Sequence, residues 1–219
     1  MKRFILLLLI ILPSIVFSQN LDSIPSENRL FFKVYGGISS LLSDKIEITT
    51  PSRNYTTNYD YEPGFNVGFS IGYFVFEKFV IQTGFENRSD RLLLSLLSSN
   101  ISAGEFELRT RLKTNTAYIN MVYYFKDGDK LKSYAGLGGA ILQDVSYEFY
   151  GEDFSNSGQF GFRFLIGADY KIQENWALNF EANYNSFETI NLSRINGTLF
   201  NLEYTPLTLN LGIIYYPRF

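Results

Sequence analysis

Six charged residues of this 219-residue chain lie in segments where apolar and polar residues alternate, and each occupies the polar phase. Three cations and three carboxylates on one enclosed face predict either a polar interior that binds or conducts a small solute, or a network of ion pairs that fills the space. Buried charges must be paired and a small barrel holds little besides side chains, so we favour the filled interior. The six residues are Lys33, Glu86, Arg88, Arg163, Asp169 and Glu181.

The composition excludes several other kinds of chemistry. The chain has no Cys and no His, which excludes disulfide frameworks, zinc sites built on these residues and catalytic triads that contain histidine. A catalytic site would need Asp, Glu, Ser or Lys alone. We therefore predict no enzyme activity, no cofactor and no metal site. The formal charge of −3 argues against nucleic acid as a partner.

The segments that carry these charges alternate with a period of two, which predicts β-strands with one apolar and one polar face. In one segment Trp176, Leu178 and Phe180 share a phase, whereas Asn179 and Glu181 share the other. About eight such segments are present. They centre on residues 32–38, 65–75, 79–86, 116–125, 134–141, 160–170, 176–185 and 207–216.

Three features of these segments favour a membrane over water on the apolar side. The segments are long enough to cross a bilayer at a tilt, their polar phase is rich in Gly, Asn and Ser, and aromatic residues such as Trp176 and Tyr215 cluster at their ends. We predict an all-β fold, a closed antiparallel up-and-down transmembrane β-barrel of about eight strands. A soluble lipocalin-like binder with an apolar interior is the less favoured alternative.

The first residues have the features of a secretory signal peptide. Lys2 and Arg3 precede an apolar run, and Val16 and Ser18 occupy the −3 and −1 positions of a cleavage site near Ser18/Gln19. We assign residues 1–18 to the signal peptide, 19–29 to a short periplasmic lead-in and 30–219 to the barrel domain. Export of a barrel from the cytoplasm of a bacterium predicts localisation to the outer membrane.

The predicted strands are joined by short and long connections in alternation. The short connections are residues 77–78, 126–130 and 173–175, and the long ones are roughly residues 40–63, 89–107, 147–157 and 187–201. Outer-membrane barrels have short periplasmic turns and long outer loops. We therefore expect four mobile loops outside the cell.

A leucine-rich stretch in the second long connection is a candidate contact surface. It could touch lipid A acyl chains or a partner protein, or it could be a strand extension or a small helix packed on its own loop. Its residues are Leu92, Leu93, Leu94, Leu96 and Leu97.

Several strand phrases resemble a known family. The sequences YAGLGG at 134–139 and FLIGADY at 164–170 resemble strand motifs of the PorT-like outer membrane beta-barrel proteins of Bacteroidota, which are small OmpX/OmpA-like barrels. The last strand, with Tyr215 and the terminal Phe219, resembles the C-terminal signal read by the barrel assembly machinery. The resemblance implies a barrel fold and this machinery as a partner, and it assigns no activity.

The function that these observations favour is a structural or interaction scaffold in the outer membrane that displays its outer loops. The alternative is a narrow channel or a porin that binds small solutes. Expected partners are outer-membrane lipid and lipopolysaccharide, the barrel assembly machinery, and an envelope protein that the sequence does not identify.

Overall fold

The residues that the computed structural model describes form thirteen β-strands. These are residues 29–42, 45–49, 54–58, 60–96, 106–127, 130–149, 152–156, 158–187, 190–195 and 198–217. Among these residues no helix is long and apolar enough to cross a membrane. In chain order the strands are β1 (Leu30–Leu41), β2 (Lys45–Thr49), β3 (Asn54–Asn58), β4 (Asp60–Phe76), β5 (Phe79–Leu96), β6 (Phe106–Asp127), β7 (Leu131–Phe149), β8 (Glu152–Asn156), β9 (Gln159–Gln173), β10 (Trp176–Phe187), β11 (Ile190–Ile195), β12 (Thr198–Leu202) and β13 (Pro206–Tyr215).

Eight long strands form a closed antiparallel barrel. Each of β1, β4, β5, β6, β7, β9, β10 and β13 pairs with the next in this order, and β13 pairs back onto β1. Closure leaves no open edge along the barrel wall, so the backbone polar groups of the wall are satisfied within it. The predicted fold class and strand number are confirmed.

The two ends of the barrel differ in their connections. At one end, here called the turn end, β4 and β5 are joined through Glu77 and Lys78, and β9 and β10 through Glu174 and Asn175. At the opposite end, here called the loop end, the connections contain the five short strands. Strands β11, β12, β2 and β3 form a separate antiparallel sheet, and β8 pairs with the end of β7.

The strands alternate as the sequence predicts, with apolar side chains outward. Phe162, Phe180 and Leu211 are 62%, 54% and 54% exposed, whereas Arg163 and Glu181 are 0% and 5% exposed. This arrangement is the reverse of a lipocalin-like binder, so that alternative is wrong. The apolar face of the sheet surrounds the barrel, and the polar face encloses its interior.

The exposed apolar band matches the thickness of a membrane. On β4 it runs from Phe76, which is 39% exposed, to Phe65, which is 71% exposed. The eleven steps between these residues, at about 3.4 Å each and tilted by about 40°, give a height of about 29 Å, close to the ~25 Å band of outer-membrane barrels. Trp176 and Tyr215 contact each other at the turn end with ring centroids 4.7 Å apart, in the position of an aromatic girdle.

Two predictions about the long connections are wrong. Residues 89–107 were expected to form a loop, but β5 continues to Leu96 and β6 begins at Phe106. The other connections were expected to be loops throughout, whereas they include paired strands. Beyond the membrane neither face of a strand must be apolar, and residues 90–96 of β5 show no alternation of apolar and charged residues that would predict a strand.

Candidate functional site

The barrel interior brings the six predicted charged residues together with a seventh, Asp90. All seven side chains are at most 5% exposed. They come from β1, β5, β9 and β10, since the period of two turns these positions inward from four strands. Three cations and four carboxylates therefore lie within one enclosed space.

The pair nearest the turn end is Lys33 and Glu181. Lys33 Nζ lies 2.6 Å from Glu181 Oε2, and both side chains are 2% exposed. The hydroxyl of Tyr134 donates a second hydrogen bond to the same oxygen at 2.7 Å. The Lys33 ammonium also faces the ring of Tyr35, 5.3 Å from its centroid.

Glu86 holds two arginines at mid-height. Its Oε1 pairs with Arg88, and its Oε2 lies 3.3 Å from Arg163 Nη2. The Arg163 guanidinium also lies over the Tyr118 ring at 4.1 Å from the centroid, and Tyr35 donates to Glu86 at 3.3 Å. The carboxylate is thus shared by two buried cations.

Asp169 is held by neutral partners instead of a cation. Its Oδ2 accepts a hydrogen bond from Tyr124 at 2.8 Å, and its Oδ1 accepts one from Asn179 Nδ2 at 2.6 Å. Asn179 Nδ2 also lies 2.7 Å from the Tyr134 hydroxyl. This chain of hydrogen bonds links Asp169 to the Lys33–Glu181 pair.

Tyr204 ties the loop end to the interior. It lies between β12 and β13, is fully buried, and its hydroxyl accepts from Arg88 at 3.1 Å and donates to Asp90 at 3.2 Å. Ser39 donates to the other oxygen of Asp90 at 2.5 Å. Burial raises the pKa of Tyr204, so the phenol stays neutral and keeps the proton that it donates.

Apolar side chains lie on both sides of this charged layer. Toward the turn end, Phe31, Val122, Tyr124 and Ile214 belong to one buried cluster. Toward the loop end, Leu112 and Leu142 are fully buried. Leu112 lies opposite Asp90, and Leu142 lies four residues beyond Gly138, the partner of Arg163. The charges are therefore covered at both ends.

A small cavity remains beside the apolar cluster of the turn end. Its volume of about 10 Å³ is enough for roughly one water molecule. Lys33, Gln82, Asp169 and Asn179 contribute its polar lining. A space of this size is far too small for a nutrient or metabolite.

Other buried polar atoms of the described residues make no hydrogen bond within the protein. They include both amide atoms of Asn120 and of Asn183, Thr208 Oγ1 and Arg163 Nε. Such atoms are usually satisfied by ordered water. No cluster of Asp and Glu among the described residues is placed to hold a metal ion.

Sequence reasoning missed the interior tyrosines and Asp90. Tyr35, Tyr118 and Tyr134 occupy the polar phase, and that phase was the available signal for their role. Asp90 was assigned to a loop because the strand was ended near Glu86. Tyr204 gave no signal, since it follows a strand that the alternation did not reveal.

The remaining candidate residues lie outside the interior. Tyr215 is 37% exposed on the lipid side. Leu92, Leu93, Leu94 and Leu96 lie in the extension of β5, and their contact with lipid or a partner stays a prediction. The described residues do not include Leu97, Phe219, Gly128, Asp129 or the predicted signal peptide and its cleavage site.

Comparison with known proteins agrees with this geometry. Residues 5–213 match the family described as the outer membrane protein beta-barrel domain. The chain belongs to this family. It is an outer-membrane β-barrel protein, whereas the finer PorT-like assignment is not tested by the match. A search of curated proteins gave no match.

Solved outer-membrane barrels share the fold at low sequence identity. OprG of Pseudomonas aeruginosa is 14% identical, with a TM-score of 0.57 over 89% of this chain and 100% of that one. Neisserial surface protein A is 16% identical, with a TM-score of 0.50 over 85% and 97% of the two chains. The barrel domain of Pseudomonas aeruginosa OprF is 12% identical, with a TM-score of 0.50 over 87% and 98%. At these identities the likeness extends to the fold alone.

Proposed function

We propose that this protein is a non-conducting scaffold of the outer membrane, which holds the sheet and strand extensions of its loop end at the cell surface. The observation that carries the proposal is the burial of the interior charges. Arg163, Asp90 and Asn179 are each 0% exposed, although they lie at different heights of the barrel. An aqueous path from end to end would expose some of them.

The composition supports a role without catalysis. The chain has no His and no Cys, and inside the barrel Lys33 is paired with Glu181 and Arg163 with Glu86. A substrate outside the barrel would not reach them. The proposal therefore assigns these side chains to stability of the barrel.

The proposal includes an orientation and a route. The turn end faces the periplasm and the loop end faces outward, because outer-membrane barrels have their longer connections outside. The predicted signal peptide of residues 1–18 supports export, with cleavage near Ser18. Engagement of the barrel assembly machinery through Tyr215 and Phe219, and membership in the PorT-like group, remain proposals that rest on resemblance.

A narrow channel is the second candidate, because several interior polar atoms have no partner in the protein. Asn183 and Thr208 face each other across β10 and β13, and atoms of both are unpaired within the described residues. Water at such positions could belong to a wet path. The two functions differ in whether that water is continuous.

Conductance distinguishes the two candidates. The purified protein is inserted into planar bilayers, and the current is recorded for the wild type and for a Leu112→Ala/Leu142→Ala variant that removes apolar cover at the loop end. The scaffold proposal predicts no current for the wild type. Regular conducting steps from the wild type, with ion selectivity that changes in a Glu86→Gln variant, would establish the channel.

A further inference from the structure

A group of cations lies on the lipid-facing side of β5 and β6, at the loop-end border of the apolar band. Phe65 pairs with Ser89, and Ser89 pairs with Lys113. Lys113 is therefore level with Phe65 of β4, which is 71% exposed. Arg91 and Arg111 lie two residues further out, about 7 Å along the strands. We call Arg91, Arg111 and Lys113 the border cations.

The border cations share the outward phase of the apolar band. Residues 111, 113, 115, 117 and 119 alternate with buried positions on β6, and Ile119 is 58% exposed on the lipid side. Arg111 and Lys113 are exposed. A lipid molecule whose chains lie against Ile119 would thus place its headgroup beside these two cations.

Arg91 and Arg111 are direct cross-strand partners. Like charges directly opposite each other destabilise a sheet, so this pair favours an anion between or beside the two side chains. Glu62 lies 3.4 Å from Arg91, and the side chains are 52% and 64% exposed. Such an exposed ion pair contributes little to stability, and it does not neutralise the charge of Arg111.

The surrounding charge remains positive. Besides Glu62, a second carboxylate whose side chain the structure describes is Asp144, which pairs in register with Asn115, one outward position below Lys113. Among the side chains that the structure describes at this border, three cations and two carboxylates give a net charge of +1, and the cations lie on adjacent strands. Ser89, Ser146 and the hydrogen-bonded amides of Asn87 and Asn115 add polar groups at the same border.

We propose that the border cations bind the phosphate groups of a phosphorylated lipid headgroup in the outer leaflet. This inference rests on the proposed orientation, in which the loop end faces outward. Guanidinium groups match phosphate oxygens with paired hydrogen bonds, and Lys113 at the edge of the hydrocarbon can extend its ammonium to the headgroup. A lipid is favoured over an acidic protein because the cations lie on the same outward face of β5 and β6 as the membrane-facing apolar residues.

The test compares two variants with the same loss of charge. In the first, Arg91, Arg111 and Lys113 are all changed to Gln. In the control, Lys78, Lys130 and Lys171 at the turn end are changed to Gln. Binding of diphosphorylated lipid A to the detergent-solubilised full chain is titrated by native mass spectrometry, and heat-modifiable gel migration verifies that each variant is folded.

We expect the first variant to bind lipid A about 10- to 100-fold more weakly than the wild type, since each cation near a phosphate contributes up to about fivefold. The control should bind within about twofold of the wild type. Equal binding by wild type and first variant, or equal weakening in the control, overturns the proposal. If the first variant does not fold, Arg111→Gln alone should weaken binding about threefold to fivefold.

Two further measurements distinguish lipid phosphate from free phosphate, and the lipid proposal from the scaffold proposal. Inorganic phosphate at millimolar concentration should leave lipid A binding unchanged, and full displacement would mean that the cations bind any free anion rather than a lipid. Conductance of the wild-type protein would overturn the scaffold function and leave the lipid A result intact. A silent bilayer combined with unaltered lipid A binding in the first variant would overturn only the lipid proposal.

Discussion

Removing one member of the Lys33–Glu181 pair should destabilise the barrel at least as much as removing both. At 2.6 Å the attraction between the two charges is about 6 kcal/mol with an effective dielectric constant of 20, and desolvation of each ion opposes it by several kcal/mol. Glu181→Gln keeps an acceptor for Tyr134 but leaves Lys33 buried without a counter-ion. We expect this change, or Lys33→Met alone, to lower the free energy of unfolding by roughly 3–5 kcal/mol.

The double variant supplies the decisive comparison. With both charges absent, the Lys33→Met/Glu181→Gln variant should lose no more unfolding free energy than the more destabilised single variant. This corresponds to a coupling energy between the two residues of roughly 3 kcal/mol or more. Urea unfolding in lipid vesicles measures this, because the chain has one tryptophan, Trp176, whose fluorescence reports the folded barrel. Single losses below about 1 kcal/mol, or losses that simply add in the double variant, would refute the pairing.

Three further changes test other parts of the structure. Tyr204→Phe should lower the unfolding free energy by about 1–3 kcal/mol and speed proteolysis of residues 190–202, measured by limited digestion; unchanged cleavage would contradict its tethering role. Gly68→Ala should lower the free energy of unfolding in urea by about 1–3 kcal/mol, because its methyl group would collide with the Tyr35 ring. The outward Gly36→Ala should be tolerated, and equal losses of unfolding free energy in the two variants would refute this contrast. Phe180→Arg should lower the free energy of unfolding in lipid vesicles by about 2–4 kcal/mol. An unchanged free energy of unfolding would place that position outside the lipid.

The membrane-crossing part of the fold was predictable from sequence because one physical rule governs every position in it. Lipid on one side and a packed interior on the other impose strict alternation, as the segment around Trp176 and Phe180 shows. Outside the band that rule no longer applies. Asp90 and Arg91 are both charged and adjacent, so the outer part of β5 resembles a loop in sequence although it pairs with β6 along its length.

The partners within the interior could not be read from sequence. Alternation predicts that Lys33 and Glu181 point inward, but they are 148 residues apart, and only the stagger of the strands brings them to the same height. The tyrosines show the same limit. Tyr35 and Tyr118 lie in the polar phase, yet their mutual hydrogen bond of 3.0 Å depends on the curvature that makes β1 and β6 face each other across the barrel.

Depth-dependent quenching by brominated lipids tests most directly which face of the strands meets hydrocarbon. In a Trp176→Phe background, a single tryptophan is placed at Phe162, Phe180 or Leu211, and at the interior position Tyr118 as a control. The structure predicts strong quenching at the three outward positions and little at position 118. Unquenched fluorescence at the outward positions, together with access of aqueous iodide to them, would contradict a barrel whose apolar face lies in the membrane.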